Sequence, residues 1–181
     1  MKVYLDHAAT TPMFPEVVDA MSDFMREHYG NPSSVHQFGQ DAKKYLDNAR
    51  TQVATLLGAE PDNIYFTSGG TEADNIAIFG CAMQRAETEG RRHIITSAVE
   101  HHAVLESCEE LRNNMGFEVT FLPVDHYGMV QPETLRQALR PDTALVTIMH
   151  ANNEVGTINP IRELAAMAHE VGAVFHTDAV Q

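Results

Sequence analysis

The sequence is poor in positive charge. It carries 12 Lys and Arg against 25 Asp and Glu, a formal net charge of −13, and no basic stripe breaks the acidic background. That balance argues against nucleic acid or an anionic membrane as the main partner, while leaving room for one local anion pocket. Lysine occurs only at Lys2, Lys43 and Lys44. No apolar run approaches bilayer-spanning length, and Met1-Lys2-Val3 leads straight into the strand-like Tyr4-Leu5. A cytoplasmic location is therefore expected. Of the 2 cysteines, Cys81 lies in the run AIFGCAM and Cys108 on the stripe Val104, Cys108, Leu111, Met115. Both have the spacing of buried helix positions, and neither has metal-site or CxxC spacing. The 10 histidines include His101-His102 and His176-x-Asp178, but there is no HExxH or HxxEH, so a metal hydrolase is disfavoured and no metal is expected. No GxGxxG follows a strand and no Walker A glycine–lysine pair occurs, which disfavours nicotinamide and P-loop nucleotide chemistry. Internal repeats and low-complexity linkers are also missing. What remains, 44% hydrophobic and 20% charged over 181 residues, is the composition of a soluble globular chain with a sizeable core.

The stretch that organises the rest is residues 64–76, IYFTSGGTEADNI. Ile64 to Thr67 has the β-branched and aromatic character of a buried strand. Ser68-Gly69-Gly70 allows a tight turn and close approach of a ligand. Thr71 is placed to cap a following helix, with Asp74 at the third helical position as in a capping box, and Ile76, Phe79 and Met83 continue at helical spacing. A strand, a glycine turn and a helix N-terminus present free N–H groups and the positive end of a helix dipole, so a phosphate fits there. The same pattern also suits an ordinary strand–helix connection.

Elsewhere, residues 3–12 suggest a short strand and a polar turn, followed by a helix from about Pro15 to Met25. HYGNPSSVHQFG is loop. A longer helix is expected from Val35 to Leu57, ended by Gly58, with Leu46, Ala49, Val53, Leu56 and Leu57 on one side. Strand-like HIITS (His93–Ser97), FEVTFL (Phe117–Leu122), TALVTIM (Thr143–Met149) and AVFHT (Ala173–Thr177) alternate with helical segments at Val104–Met115, Pro132–Leu139 and one begun by Asn159 as N-cap with Pro160 at the first position. That rhythm implies an α/β fold with a mostly parallel sheet covered on both faces, whose ligands bind beyond the carboxyl ends of the strands. At those ends stand the glycine turn, Glu100-His101-His102, His150-Ala151-Asn152-Asn153-Glu154, and Asp178-Ala179-Val180-Gln181.

A phosphorylated aromatic cofactor would use all four ends. Its phosphate would sit at Gly70 and Thr71, His101 could stack on a ring, and Asn153 or Gln181 could donate to a phenolic oxygen. Asp178 could pair with a protonated ring nitrogen and keep the ring an electron sink. Pyridoxal 5'-phosphate meets each requirement.

YLDHAATTP, GNPSSVH, TSGGTEADN, VEHHAV, MHANNEVG and HTDAVQ, in this order from residue 3 to 181, closely resemble the NifS/IscS-like cysteine desulfurases. These are class V aminotransferase-like enzymes of the fold-type I, aspartate-aminotransferase-like pyridoxal phosphate group. The resemblance implies a three-layer αβα large domain, truncated here, with residues 1–15 from the small domain and 16–181 an incomplete cofactor-binding domain. It implies phosphate binding at Gly70 and Thr71, ring stacking and proton transfer by His101, ring-oxygen contacts from Asn153 and Gln181, and ring-nitrogen binding by Asp178. It further implies L-cysteine as substrate, L-alanine and a persulfide as products, an iron–sulfur scaffold or other sulfur acceptor as partner, and a homodimer in the complete protein. The family's Schiff-base lysine and persulfide cysteine lie after HTDAVQ, and neither Lys2, Lys43 and Lys44 nor Cys81 and Cys108 match them. The 181-residue chain alone is therefore expected to be inactive. A non-catalytic split partner, a selenocysteine lyase or another class V member remain alternatives.

Overall fold

The computed structural model describes residues 1–181 and divides into two compact units, Met1–Phe66 and Thr67–Gln181.

The first unit is helical. Its opening residues form no strand: Tyr4-Leu5 leads into a turn in which Ala9 and Thr10 N–H groups reach the Asp6 carbonyl, and the Tyr4 hydroxyl donates to the same carbonyl at 2.8 Å. Helix α1 runs Pro15–Glu27, with Pro15 where its missing N–H costs nothing. Helix α2 runs Gln37–Leu57 and begins at His36, whose Nδ1 accepts from Gly39 N at 3.4 Å. The Gly30–Ser34 loop is pressed on this start, since a Cβ at Gly30 would lie 2.1 Å from the Phe38 carbonyl oxygen and one at Gly39 2.3 Å from that of Ser34. Residues 64–67, which read as a buried strand, have no strand partner. The Ile64 carbonyl is instead taken by the Arg50 guanidinium, which also lies 5.1 Å from the Phe66 ring centre, and Tyr65 is 80% exposed.

The second unit holds helix α3 (Gly70–Glu89), strand β1 (His93–Ser97), α4 (His102–Asn114), β2 (Glu118–Leu122), α5 (Pro132–Ala138), β3 (Thr143–Thr147), α6 (Ile161–Glu170) and β4 (Val174–His176). All strand pairs are parallel, in the order β2-β1-β3-β4. Side chains alternate across a sheet, so neighbours in sequence serve opposite faces. Ile94, Val119, Leu145 and Val174 share one row and pack with Ile78 and Ala82 of α3 and Val104, Cys108 and Leu111 of α4. Ile95, Val146 and Phe175 form the row behind and pack with Leu135 of α5 and Leu164, Met167 and Ala168 of α6. The result is the three-layer αβα arrangement that the alternating sequence implies.

Two elements differ in detail from their sequence patterns. The inner face of α3 is Asp74, Ile78 and Ala82, whereas Ile76 and Met83 are exposed. Helix α6 starts at Ile161, and Asn159 does not cap it: Nδ2 donates to the Met149 carbonyl at 2.9 Å and Oδ1 accepts from Val130 N at 3.0 Å. A buried carboxamide with two buried backbone partners is more useful as a cross-link than as a helix cap. At the sheet's amino rim, His93 is fully buried between Thr143 Oγ1 (2.9 Å) and Thr120 Oγ1 (2.8 Å), tying β1 to both neighbours.

Candidate functional site

The carboxyl rim of the sheet gathers the chemically active side chains of the second unit. At the start of α3, Gly69 is extended and the helix begins at Gly70. Thr71 therefore lies inside the first turn and cannot cap it, and Asp74 is turned inward, so the expected Thr71/Asp74 capping box does not form. Glu72 does the work instead: its Oε2 accepts from Ser68 N at 2.6 Å and Ser68 Oγ at 2.7 Å, and these bonds lower its pKa. The amides of Gly70, Thr71 and Glu72 make no hydrogen bond within the chain. Three N–H groups at the positive end of a 20-residue helix suit an anion. Val180 approaches this turn, its Cγ2 lying 3.9 Å from where a Cβ on Gly70 would be. The segment after β4 thus comes up against the helix start.

The loop from β1 to α4 carries Glu100 and His101. His101 is exposed and stands at the N-cap of α4, Nδ1 accepting from Ala103 N at 3.2 Å. That bond leaves the proton of a neutral ring on Nε2. Glu100 is buried, and its Oε1 accepts from both Ser97 Oγ and Met149 N, the latter at 3.0 Å, pinning the ends of β1 and β3 together. Its Oε2 is buried without a partner. Burial pushes this carboxyl up to about 7 against the pull of those two hydrogen bonds, with Asp178 and Asp74 adding repulsion.

After β3, Asn152 is buried and organises its own loop. Nδ2 donates to the Val99 carbonyl at 3.0 Å, and Oδ1 accepts from the amides of Glu154 and Val155. Asn153 is half-buried, its carboxamide donating to Glu154 Oε1 at 3.3 Å. After β4, Asp178 is buried and accepts from Val180 N at 3.0 Å, while its carbonyl accepts from His150 N at 2.8 Å. Beneath it His176 bridges Thr147 Oγ1, 2.8 Å from Nδ1, and Asp74 Oδ1, 3.5 Å from Nε2. Burial raises Asp74 to about 6, with Asp178 pushing the same way and His101 opposing, and burial lowers His176.

Of the residues singled out in the sequence, Asp178 and His101 lie close enough to act on the same carboxyl, Asp74. Gly70 and Thr71 stand beside the Val180 segment. Asn153 faces Glu154, and the exposed Gln181 side chain makes no hydrogen bond. Asp74, Glu100 and the cross-linking Asn152 receive no site role from the sequence, although Glu100 and Asn152 stand in the stretches at the strand ends. No group of three or more His, Cys, Asp or Glu side chains is arranged to hold a metal ion.

Residues 3–181 match the family model described as aminotransferase class-V. The chain is 56% identical over 180 residues to the cysteine desulfurase IscS of Dictyoglomus turgidum, covering 99% of this chain and 45% of that protein. Among solved structures, a NifS-like protein superposes with a TM-score of 0.93 at 42% identity, covering 100% of this chain and 49% of the other. A structure described as SspA in complex with cysteine gives 0.92 at 40% identity, covering 98% and 50%. The chain thus spans about half the length of the proteins it matches.

Proposed function

The chain belongs to the aminotransferase class-V family, and from that premise we propose that it forms the cofactor-binding part of a cysteine desulfurase that uses pyridoxal 5'-phosphate. The supporting observation is a polarity match. One side of the rim offers unbonded amides at Gly70, Thr71 and Glu72, and the other buries Asp178, Asp74 and Glu100 with no Lys or Arg among their partners. A ligand anionic at one end and cationic at the other, as a phosphorylated pyridinium is, satisfies both.

In this assignment Gly70 and Thr71 bind the phosphate through their backbone amides, assisted by the Thr71 hydroxyl. Asp178, held by Val180 N, receives the ring nitrogen. His101 would stack on the ring, where its proton-bearing Nε2 would be available for proton transfer at the substrate. Asn153 and Gln181 would supply hydrogen bonds to the ring oxygen, Asn153 in place of the one it gives Glu154. When bound, the cofactor supplies an electron sink for the bond broken at the substrate's α-carbon. Asn152 and Glu100 hold the loops that carry these groups.

L-Cysteine is the substrate in this proposal, in keeping with the cysteine bound in the SspA structure. Sulfur passes to an iron–sulfur scaffold or other acceptor protein, in the cytoplasm and from a homodimer. Residues 1–15 belong to the small domain and 16–181 to the large one. No lysine lies between Thr67 and Gln181, so the lysine that would hold the cofactor covalently comes from outside these residues.

The test is a spectroscopic titration of the 181-residue chain with pyridoxal phosphate. Saturable binding is expected, weakened about tenfold or more in Asp178→Asn, where one charge-assisted bond is lost. Equal affinity in the variant would remove Asp178 from the site. Sustained alanine production from cysteine by this chain alone would refute the expected inactivity.

A further inference from the structure

Resting on the pyridoxal phosphate site proposed above, a further role falls to Asp74 and Glu100, to which that site assigns no contact with the cofactor. Around Asp178 (9% exposed) the chain buries Asp74 (5%) from α3 and Glu100 (6%) from the β1–α4 loop. The basic groups facing these carboxyls are imidazoles alone. His176 Nε2 lies 3.5 Å from Asp74, with Thr147 holding the other ring nitrogen, and the exposed His101 acts on Asp74 from the start of α4. Burial keeps His176 toward its neutral form. The remaining titratable neighbour, Cys108 on α4, is pushed up to about 12 and adds no charge near neutrality.

Glu100 makes both of its hydrogen bonds through Oε1 and leaves Oε2 buried and bare. An ionised carboxylate with a bare buried oxygen, facing two other acids, is poorly stabilised, and the neutral acid, although its O–H also lacks a partner, costs less.

We infer that Asp74 and Glu100 are positioning residues for the cationic ring nitrogen at Asp178: they hold the protons of the buried acid cluster in the free chain and give one up when that nitrogen docks. In this step an O–H bond of one carboxylic acid breaks and its electron pair stays on the carboxylate. The proton passes to solvent, and the new negative charge offsets the incoming positive one. Consistent with this, burial, with repulsion from Asp178 added, brings Asp74 to about 6 and Glu100 to about 7.

Carbon-13 carboxyl NMR of the 181-residue chain at about pH 6, alone and with saturating pyridoxal phosphate, tests this. In the free chain at least one of the Asp74 and Glu100 signals is expected at the acid position, moving to the carboxylate position on binding. Asp178→Asn should lower both titrations and abolish the movement. Glu100→Gln keeps the Oε1 acceptor for Ser97 and Met149, so a purely structural role would be rescued. Cofactor affinity should rise by up to about tenfold per pH unit through this range in the wild type and more shallowly in Glu100→Gln. Both acids ionised in the free chain, both signals unmoved by saturating cofactor, or identical pH slopes would overturn the inference alone. Absence of saturable binding would overturn the cofactor site and the inference together.

Discussion

Glu100 binds its proton more tightly in the folded chain than in the unfolded one, its pKa rising from 4.5 to about 7. Between those values the native state holds more protons, so the stability contributed by the protonated acid is complete below about pH 4.5 and is lost as pH rises through about 7. Asp74 acts with the same sign between 3.8 and about 6. His93 and His176, both lowered by burial, act the other way: their contribution is present above the unfolded value of 6.5 and falls as acid protonates them. The difference between wild type and Glu100→Gln cancels the histidines. Urea unfolding at about pH 5 and about pH 8 should show the wild type losing on the order of 3 kcal/mol relative to the variant at the higher pH. A difference that does not change with pH would count against a buried acid. At this scale the sequence discloses chemistry but not depth. Asp178 and His101 stand at strand ends where side chains meet ligands. Asp74 has the position of a capping-box residue, because spacing cannot tell whether the helix begins at Gly70 or, with Thr71 as its cap, at Glu72, and Glu100 carries no mark of its burial.

The elements of the second unit are close to their sequence patterns where apolar runs meet clear stops. β1 occupies the HIITS run itself, and α5 begins on Pro132. Residues 64–67 fail the same rule because a strand needs a neighbour, and Arg50 has taken the Ile64 carbonyl. Likewise Asn159-Pro160 has the letters of a helix start, but Asn159 is held by Met149 and Val130, contacts 10 and 29 residues away. The start of α3 gives a sharper prediction. Gly70 is the first helical residue, a position that accepts proline, and the extended Gly69 before it suits a proline neighbour. Gly70→Pro should therefore keep the helical circular dichroism signal while removing one free amide. Pyridoxal phosphate affinity should drop about 10-fold or more, the scale of a hydrogen bond to a charged group. Unchanged affinity with intact helix would place the phosphate elsewhere.

For the molecule as a whole, apolar surface is unevenly used. α1 buries none of its residues, and Val17, Val18, Met21, Phe24 and Met25 are all exposed, as are Leu56 and Leu57 at the end of α2. Apolar patches of this kind promote association, and sedimentation velocity should show larger species forming as concentration rises. A single monomeric boundary at every concentration would contradict this. The strand order has a consequence in time as well. β1 sits between β2 and β3, and its last residue, Ser97, precedes the last residue of β3, Thr147, by 50 positions. A ribosome adding about 5–20 residues per second needs roughly 3–10 s to make that stretch. Over that interval Ile94 and Ile95, fully buried in the finished sheet, have at most one flank covered, and that one only after β2 has been made. Nascent chains paused shortly after residue 122 has left the ribosome should accordingly be the ones that recruit holdase chaperones most strongly, with release once β3 has emerged.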